Sequence, residues 1–273
     1  MPNVIRRVFR VAMMSIFLFG HAVSAAERIL VQSTTSTQNS GFYEYILPIF
    51  EEETGIRVDI VAVGTGQAIR NARNGDADVL LVHAKAAEEQ FVADGFGLER
   101  FDLMFNDFVI VGPASDPDRV AQAKDLKSAL TAIWEGNTPF VSRGDDSGTH
   151  KKERALWRII GKEPGPGLGW YRETGAGMGA TIRVAVEING YTITDRATWI
   201  AYKKKHDHRI LFEGAREMFN QYGIIQVDPA RFPHANVDGA RTFIDWMLSP
   251  KGQNLIAGYS VDGQQLFFPN AAR

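Results

Sequence analysis

Four times along this chain, an apolar run leads into a turn of small polar residues, which leads into a helical pattern of apolar residues. The turns occupy residues 33–41, 64–66, 142–150 and 174–179. Repeated alternation of strands and helices predicts an α/β fold with parallel-rich sheets. The run 79–82 is wholly apolar, which is typical of a parallel strand buried on both faces.

The alternation is interrupted midway and then resumes, which predicts two lobes. Residues 113–117 (PASDP) form a turn-rich break, and the apolar strand 222–227 is a plausible return crossing. We therefore expect residues 27–112 and 223–273 to form the first lobe and residues 113–222 the second. Ligands of open α/β sheets bind outside the carboxyl ends of the strands, where helices begin. All four turns lie at such ends, so two facing lobes would bring them into one cleft.

The turn 142–150 (SRGDDSGTH) has the composition of an anion site. Asp145, Asp146 or Ser147 could cap the helix that follows, which would leave free N–H groups facing outward. A helix N-terminus with small hydroxyls and one arginine favours a bound anion. An ordinary capped loop would contain the same residues, so both interpretations stay open for this stretch alone.

Two further features could contribute to the same cleft. Six of the nine residues at 33–41 carry a short hydroxyl, which can donate to an anion without adding charge or bulk. His83 ends the buried run 79–82, where it either contacts a ligand or has a structural role. The basic tract 203–208 is interpreted as a solvated turn rather than a metal-binding or docking patch.

Composition excludes several classes of function. The chain has 273 residues and a net charge of −2, and this balance argues against a nucleic-acid-binding protein. It contains no cysteine, so neither a disulfide framework nor a thiolate metal site is possible.

The N-terminal segment has the pattern of a secretory signal peptide. Arg6, Arg7 and Arg10 precede an apolar region at 11–20, and a small-residue cleavage site follows near Ala25 or Ala26. We expect residues 1–26 to be removed on export, by the general secretory route rather than the twin-arginine route, and the mature protein to be a soluble monomer.

With these features in hand, the chain resembles the periplasmic substrate-binding components of ABC transporters, and within them the TupA-type tungstate-binding proteins. The motifs that carry the resemblance span almost the whole mature chain in the family's order: TTS at 34–36, GTGQ at 64–67, DVLLVH at 78–83, SRGDDSGTH at 142–150, TDR at 194–196 and FNQYGII at 219–225. The resemblance implies a type II periplasmic-binding-protein fold, in which each lobe is a mixed, parallel-rich sheet flanked by helices and the ligand lies between the lobes.

The resemblance also implies a function and a set of site residues. Tungstate, with molybdate as the near alternative, would be captured in the cleft and delivered to a membrane permease, without any cofactor or protein-bound metal ion. In many relatives a serine follows the histidine of the buried strand, whereas this chain has Ala84. The implied oxyanion ligands are Thr34, Thr35, Ser36, Thr65, Arg143, Ser147, Gly148, Thr149, Arg183 and Arg196, of which Arg183 matches the family least well.

Two alternative functions follow from the residues themselves. Ser147, His150 and an aspartate could suggest a hydrolase, but a serine and a histidine three positions apart at a helix start do not form a nucleophile–base pair. The Gly-x-Ser-x-Gly elbow is also absent, because Asp145 stands two positions before Ser147. The second alternative is a binder of molybdate, phosphate or sulfate. The sequence alone does not separate these anions from tungstate.

Overall fold

The computed structural model describes residues 27–271. The predicted signal peptide, residues 1–26, lies outside the described residues. Within 27–271, no helix combines the length and the apolar character needed to cross a membrane.

The described chain alternates between strands and helices, as the sequence predicts. The strands are β1 (Arg28–Thr34), β2 (Arg57–Val63), β3 (Val79–Val82), β4 (Gly97–Pro113), β5 (Phe140–Ser142), β6 (Tyr171–Glu173), β7 (Thr192–Asp195), β8 (His208–Phe212), β9 (Phe219–Val227), β10 (Ser260–Val261), β11 (Gln264–Gln265) and β12 (Phe268–Pro269). The α-helices are α1 (Thr35–Asn39), α2 (Phe42–Thr54), α3 (Thr65–Arg73), α4 (Lys85–Ala93), α5 (Leu126–Gly136), α6 (Gly148–Ile159), α7 (Met178–Glu187), α8 (Arg196–Ala201), α9 (Val237–Leu248) and α10 (Pro250–Gly258). The predicted α/β class is therefore confirmed.

The long strand β4 takes part in two sets of strand pairs. Its residues 97–107 pair antiparallel with β9, in a sheet of order β2-β1-β3-β9-β4-β12 where β1 runs parallel to β2 and β3. Its residues 108–113 pair antiparallel with β7 and β8. The parallel pair β5–β6 adjoins β7 through a bridge between Phe140 and Tyr191. The chain thus passes from one group of strands to the other within a single strand.

Each group of strands has apolar clusters of its own. In the first group, one cluster holds the rings of Phe50 and Phe243, whose centroids lie 5.1 Å apart between α2 and α9. A second cluster includes Leu80 of β3 and Phe91 of α4. In the second group, Phe140 packs against Trp157 of α6 at 5.2 Å between centroids. This burial on helix-covered sheets is what the apolar strand runs predict.

Side-chain caps fix where several helices begin. Asn236 Oδ1 accepts from the Gly239 N–H at the start of α9. The Ser249 hydroxyl accepts from the Gly252 N–H at the start of α10, and Pro250 occupies its first position. The chain thus ends α9 at Leu248 and begins α10 at Pro250.

The structure differs from the sequence-based assignment in three segments. The turn predicted at 33–41 contains the short helix α1, whose five residues are all polar and carry no apolar period. Residues 190–199 contain β7 and the start of α8, neither of which the sequence-based assignment includes. The basic tract 203–208 contains a turn at 206–207, but His208 is buried and begins β8, a strand that the sequence did not predict.

Candidate functional site

The turn after β5 holds a buried arginine beside the start of α6. Arg143 is 4% exposed; its Nε donates to the Ala176 carbonyl at 3.2 Å and its Nη2 donates to Asp145 Oδ2 at 2.5 Å. The Ser147 hydroxyl accepts from the His150 N–H at 3.2 Å, which confirms Ser147 as the cap of α6. Asp145 therefore holds the arginine in place while the positive end of the α6 dipole adjoins it.

The hydroxyl-rich turn after β1 forms the second part of the site. Thr34 Oγ1 caps α1 by accepting from the Thr37 N–H, and it lies 2.8 Å from Thr37 Oγ1 and 3.1 Å from Ser36 Oγ. Ser36 Oγ lies 3.0 Å from His83 Nε2. These hydroxyls are therefore already engaged in hydrogen bonds with one another and with the histidine that follows β3.

Two other hydroxyls are buried and unsatisfied. Thr35 Oγ1 in α1 and Thr149 Oγ1 in α6 have no hydrogen-bond partner among residues 27–271. A buried hydroxyl without a partner is destabilising, by about 1–3 kcal/mol on mutational scales. Each of them stands in the first turn of its helix, where free N–H groups and the dipole favour negative charge. An anion that accepts hydrogen bonds would satisfy such groups.

A direct hydrogen bond joins the starts of two helices that are distant in sequence. The Gly148 N–H donates to Thr65 Oγ1 at 3.1 Å, which brings α6 against α3. A Cβ placed on Gly148 would lie 2.7 Å from Thr65 Oγ1 and 3.2 Å from His83 Cε1. The starts of α3 and α6 and the His83 ring are therefore close neighbours.

Three aspartates of this region are engaged by other groups. Asp195 is fully buried and caps α8, accepting from the Thr198 N–H at 2.8 Å, and burial raises the pKa of its carboxyl. Asp146 is exposed and pairs with Lys151 at 3.1 Å. Together with Asp145, these residues cap helices or pair with cations.

The two remaining predicted arginines are placed differently from Arg143. Arg183 lies on the outer surface of α7 with its side chain 65% exposed, and its Nε is 3.9 Å from Glu187. The structure does not bring it to the buried hydroxyls, because it lies on the solvent face of its helix. Its assignment as an oxyanion ligand therefore stays a prediction, which this position does not favour.

Arg196 is held by two carboxylates. Its Nε and Nη2 donate to Asp107 at 2.6 Å each, and Nη2 also donates to Glu213 at 2.5 Å. These carboxylates raise the pKa of Arg196 further above its ordinary value. In this arrangement Nε and Nη2 tie α8 to β4, and the assignment of Arg196 as an oxyanion ligand stays a prediction.

Sequence reasoning missed a buried acid behind the Arg143 turn. Glu153 of α6 is 2% exposed and accepts from the Ser142 hydroxyl at 2.6 Å, the Tyr171 hydroxyl at 2.8 Å and Trp157 Nε1 at 3.2 Å. Burial raises the pKa of its carboxyl to about 7. An acid in a helix is most often exposed, so the sequence carried no signal for this position.

Comparison with known proteins agrees with the fold and the motifs. Residues 21–251 match the model of the PBP superfamily domain. The tungstate-binding protein TupA of Peptoclostridium acidaminophilum is 49% identical over 90% of this chain and 86% of its own length. The TupA structure from Desulfovibrio alaskensis G20 superposes with a TM-score of 0.79 at 46% identity, covering 90% of this chain and all of that one.

A further solved structure, described as the tungstate ABC transporter from Geobacter sulfurreducens, has a TM-score of 0.79 and 48% identity, and it covers 86% of this chain and all of that one. These relatives are binding proteins of transporters rather than enzymes, so the hydrolase alternative is rejected. The chain belongs to the PBP superfamily and, within it, to the TupA family of tungstate-binding proteins.

Proposed function

We propose that this protein captures tungstate in a cleft between two lobes and delivers it to the permease of an ABC transporter. The first lobe comprises residues 27–112 and 223–273, and the second comprises residues 113–222. The observation that carries the proposal is the pair of buried, unsatisfied hydroxyls, Thr35 on the first lobe and Thr149 on the second. A ligand that accepts from both would hold the lobes together.

The donor set follows from counting hydroxyl protons. Thr65 Oγ1 accepts from the Gly148 N–H, and Ser147 Oγ accepts from the His150 N–H, so each hydroxyl keeps its own proton for a ligand. The hydroxyls of Thr35 and Thr149 are free as well. Together with the Arg143 guanidinium, they form the proposed oxyanion site.

Two of the three backbone N–H groups at residues 147–149 already have acceptors within the protein. The Ser147 N–H donates to Asp145 Oδ1 at 3.2 Å, and the Gly148 N–H donates to Thr65. Of this group we therefore retain the Thr149 N–H as a donor to the anion and assign Gly148 a role in contact between the lobes.

This chemistry suits a dianion that only accepts hydrogen bonds. Tungstate has four equivalent oxygens and no proton at neutral pH. Hydrogen bonds from a charged donor are roughly twice as strong as neutral ones, so Arg143 would contribute most. Protonated phosphate would instead require an acceptor, whereas the Asp145 and Asp195 carboxylates are paired with an arginine and a helix start. The choice of tungstate over molybdate rests on the names of the relatives.

The proposal is tested by calorimetric titration of the purified mature protein with tungstate, molybdate, phosphate and sulfate. We expect tungstate to bind with one-to-one stoichiometry and phosphate and sulfate to bind far more weakly. Saturable binding of phosphate or sulfate without binding of tungstate would contradict the proposal. Tighter binding of molybdate than of tungstate would retain the site but change the proposed ligand.

We also propose that the protein acts in the periplasm as a monomer that begins near Glu27. The predicted signal peptide and the transporter relatives support this location. Intact-mass analysis of the exported protein, combined with light scattering, tests both statements. A retained N-terminus or a stable dimer would contradict them.

A further inference from the structure

His83 lies between α1, which belongs to the proposed site, and β9. The residue is 7% exposed and its ring stacks on Tyr222 at 4.8 Å between centroids. Its Nε2 is 3.0 Å from Ser36 Oγ, and its Nδ1 is 3.0 Å from Asn220 Oδ1. Both ring nitrogens therefore have a single polar partner, one in α1 and one in β9.

The amide of Asn220 determines which nitrogen of His83 carries the proton. Asn220 Nδ2 donates to Asn106 Oδ1 at 2.7 Å, so the oxygen of the same amide faces His83. In this orientation of the two amides, which leaves Asn106 Nδ2 without a partner among the described residues, His83 Nδ1 donates to the Asn220 oxygen, because an amide oxygen only accepts. Burial and the nearby charges of Arg143 and Lys152 lower the pKa of His83 to about 4, so the ring is neutral at pH 7 and has one N–H.

The position of this proton determines the direction of the Ser36 hydroxyl. A neutral imidazole with its proton on Nδ1 has a lone pair on Nε2, which can only accept. The Ser36 hydroxyl must then donate its one proton to His83. It has no second proton with which to bind an anion.

We propose that His83 is a positioning residue. Its Nε2 accepts the hydrogen bond of the Ser36 hydroxyl and so withholds this hydroxyl from the bound oxyanion. The inference rests on the proposed function and deepens it, because it removes Ser36 from the hydroxyl donors of the first lobe. The His83 ring also connects α1 to Asn220 of β9 and, through Asn220, to Asn106 of β4. These two strands pair with each other next to the point where β4 passes from one group of strands to the other.

The tautomer can be measured without any ligand. Nitrogen-15 NMR of the full mature protein, with assigned histidine ring resonances, should show His83 protonated on Nδ1 and unprotonated on Nε2 at pH 7. In Ser36→Ala the Nε2 resonance should move toward the value of a nitrogen without a hydrogen-bond donor, while Nδ1 stays in place. A proton on Nε2 would overturn the proposal, because Ser36 would then be free to donate to the anion.

Titration with tungstate tests the consequence for binding. Thr35→Val should weaken binding by about 5- to 150-fold, as expected for loss of a buried hydrogen bond, and Ser36→Ala should weaken it by a smaller factor. Equal losses in the two variants would overturn the inference while leaving tungstate binding intact. Failure of the parent protein to bind tungstate would instead refute the proposed function, and the NMR result would still decide the tautomer.

A double-mutant comparison distinguishes the hydrogen bond that His83 accepts from Ser36 from the packing of the His83 ring. His83→Phe retains a ring to stack on Tyr222 but removes the acceptor for Ser36. In this background the Ser36 hydroxyl can turn to the anion, so adding Ser36→Ala should weaken tungstate binding by about fivefold or more. A Ser36→Ala effect of the same size in both backgrounds would contradict the proposal. If His83→Phe does not fold, the NMR measurement still tests it.

Discussion

The amide of Gly148 donates to the hydroxyl of Thr65 at 3.1 Å, although the two residues lie 83 positions apart. One residue begins α6 and the other begins α3, so the bond joins the proposed second lobe to the first. The contact requires a residue without a side chain at position 148, because a Cβ there would lie 2.7 Å from the hydroxyl oxygen. The starts of α3 and α6 thus already touch at the rim of the proposed site.

Gly148→Ala should hinder this closed contact. The added methyl must push Thr65 or the start of α6 away, and such overpacking typically costs about 1–3 kcal/mol. We expect weaker tungstate binding and, by small-angle scattering, a smaller decrease in the radius of gyration when tungstate is added. Gly165→Ala is the matched control, since a Cβ there meets no atom within 4 Å. Identical closure and affinity in the two variants would refute this role of Gly148.

Arg143→Ala should produce the largest loss of affinity of any single change in the site. It removes the charged donor from a buried position, and loss of one partner of such a pair costs about 2–5 kcal/mol. Arg143→Lys should recover little, because lysine cannot reproduce the planar fork that donates to Ala176 and Asp145. Calorimetry measures the loss, and circular dichroism confirms that the variant is folded. Parent-like binding by a folded Arg143→Ala protein would show that the 142–150 turn is not the site.

Substitution of the other two arginines should distinguish a loss of tungstate affinity from a loss of protein stability. Arg183→Ala should leave both affinity and stability within about 0.5 kcal/mol of the parent, because its side chain is exposed. Arg196→Ala leaves Asp107 and Glu213 without their partner, so we expect a lower melting temperature and a smaller loss of affinity than for Arg143→Ala. A loss of tungstate affinity in Arg196→Ala that equals the Arg143→Ala loss, at unchanged stability, would restore Arg196 as a ligand.

The sequence predicts those parts of the fold that a short stretch of neighbouring residues indicates by itself. The apolar run 79–82 indicated a buried strand, and the Ser147 turn indicated a capped helix. The partners of Arg196 could not be predicted in this way, because Asp107 is 89 positions away and nothing near Arg196 indicates the pairing. The direction of the Ser36 hydroxyl was also hidden, since it depends on an amide in β9.

The buried acid Glu153 should make stability depend on pH. Burial raises the pKa of its carboxyl from 4.5 to about 7, so the folded state holds the proton more tightly than the unfolded chain does. Its contribution to stability is therefore complete below about pH 4.5 and is lost as the pH rises through about 7. Glu153→Gln cannot ionise. We expect the free energy of unfolding of the variant to fall less between pH 5 and pH 8 than that of the parent.

Urea unfolding of both proteins at several pH values measures this difference. At about 1.4 kcal/mol per pKa unit, the two curves should diverge by at most about 3 kcal/mol. Burial also raises the pKa of Glu88 to about 7, but that residue is present in both proteins and cancels in the comparison. Parallel curves across this range would contradict the assignment of the titration to Glu153.

The most direct test of the central claim is to locate the tungsten atom. A crystal of the mature protein grown with tungstate should show one strong anomalous peak at the tungsten absorption edge. We predict that its oxygens lie within about 3 Å of the Arg143 guanidinium and of the Thr35 and Thr149 hydroxyls, between the starts of α1 and α6. A peak elsewhere, or a bound tungstate that leaves both hydroxyls without a partner, would contradict the account.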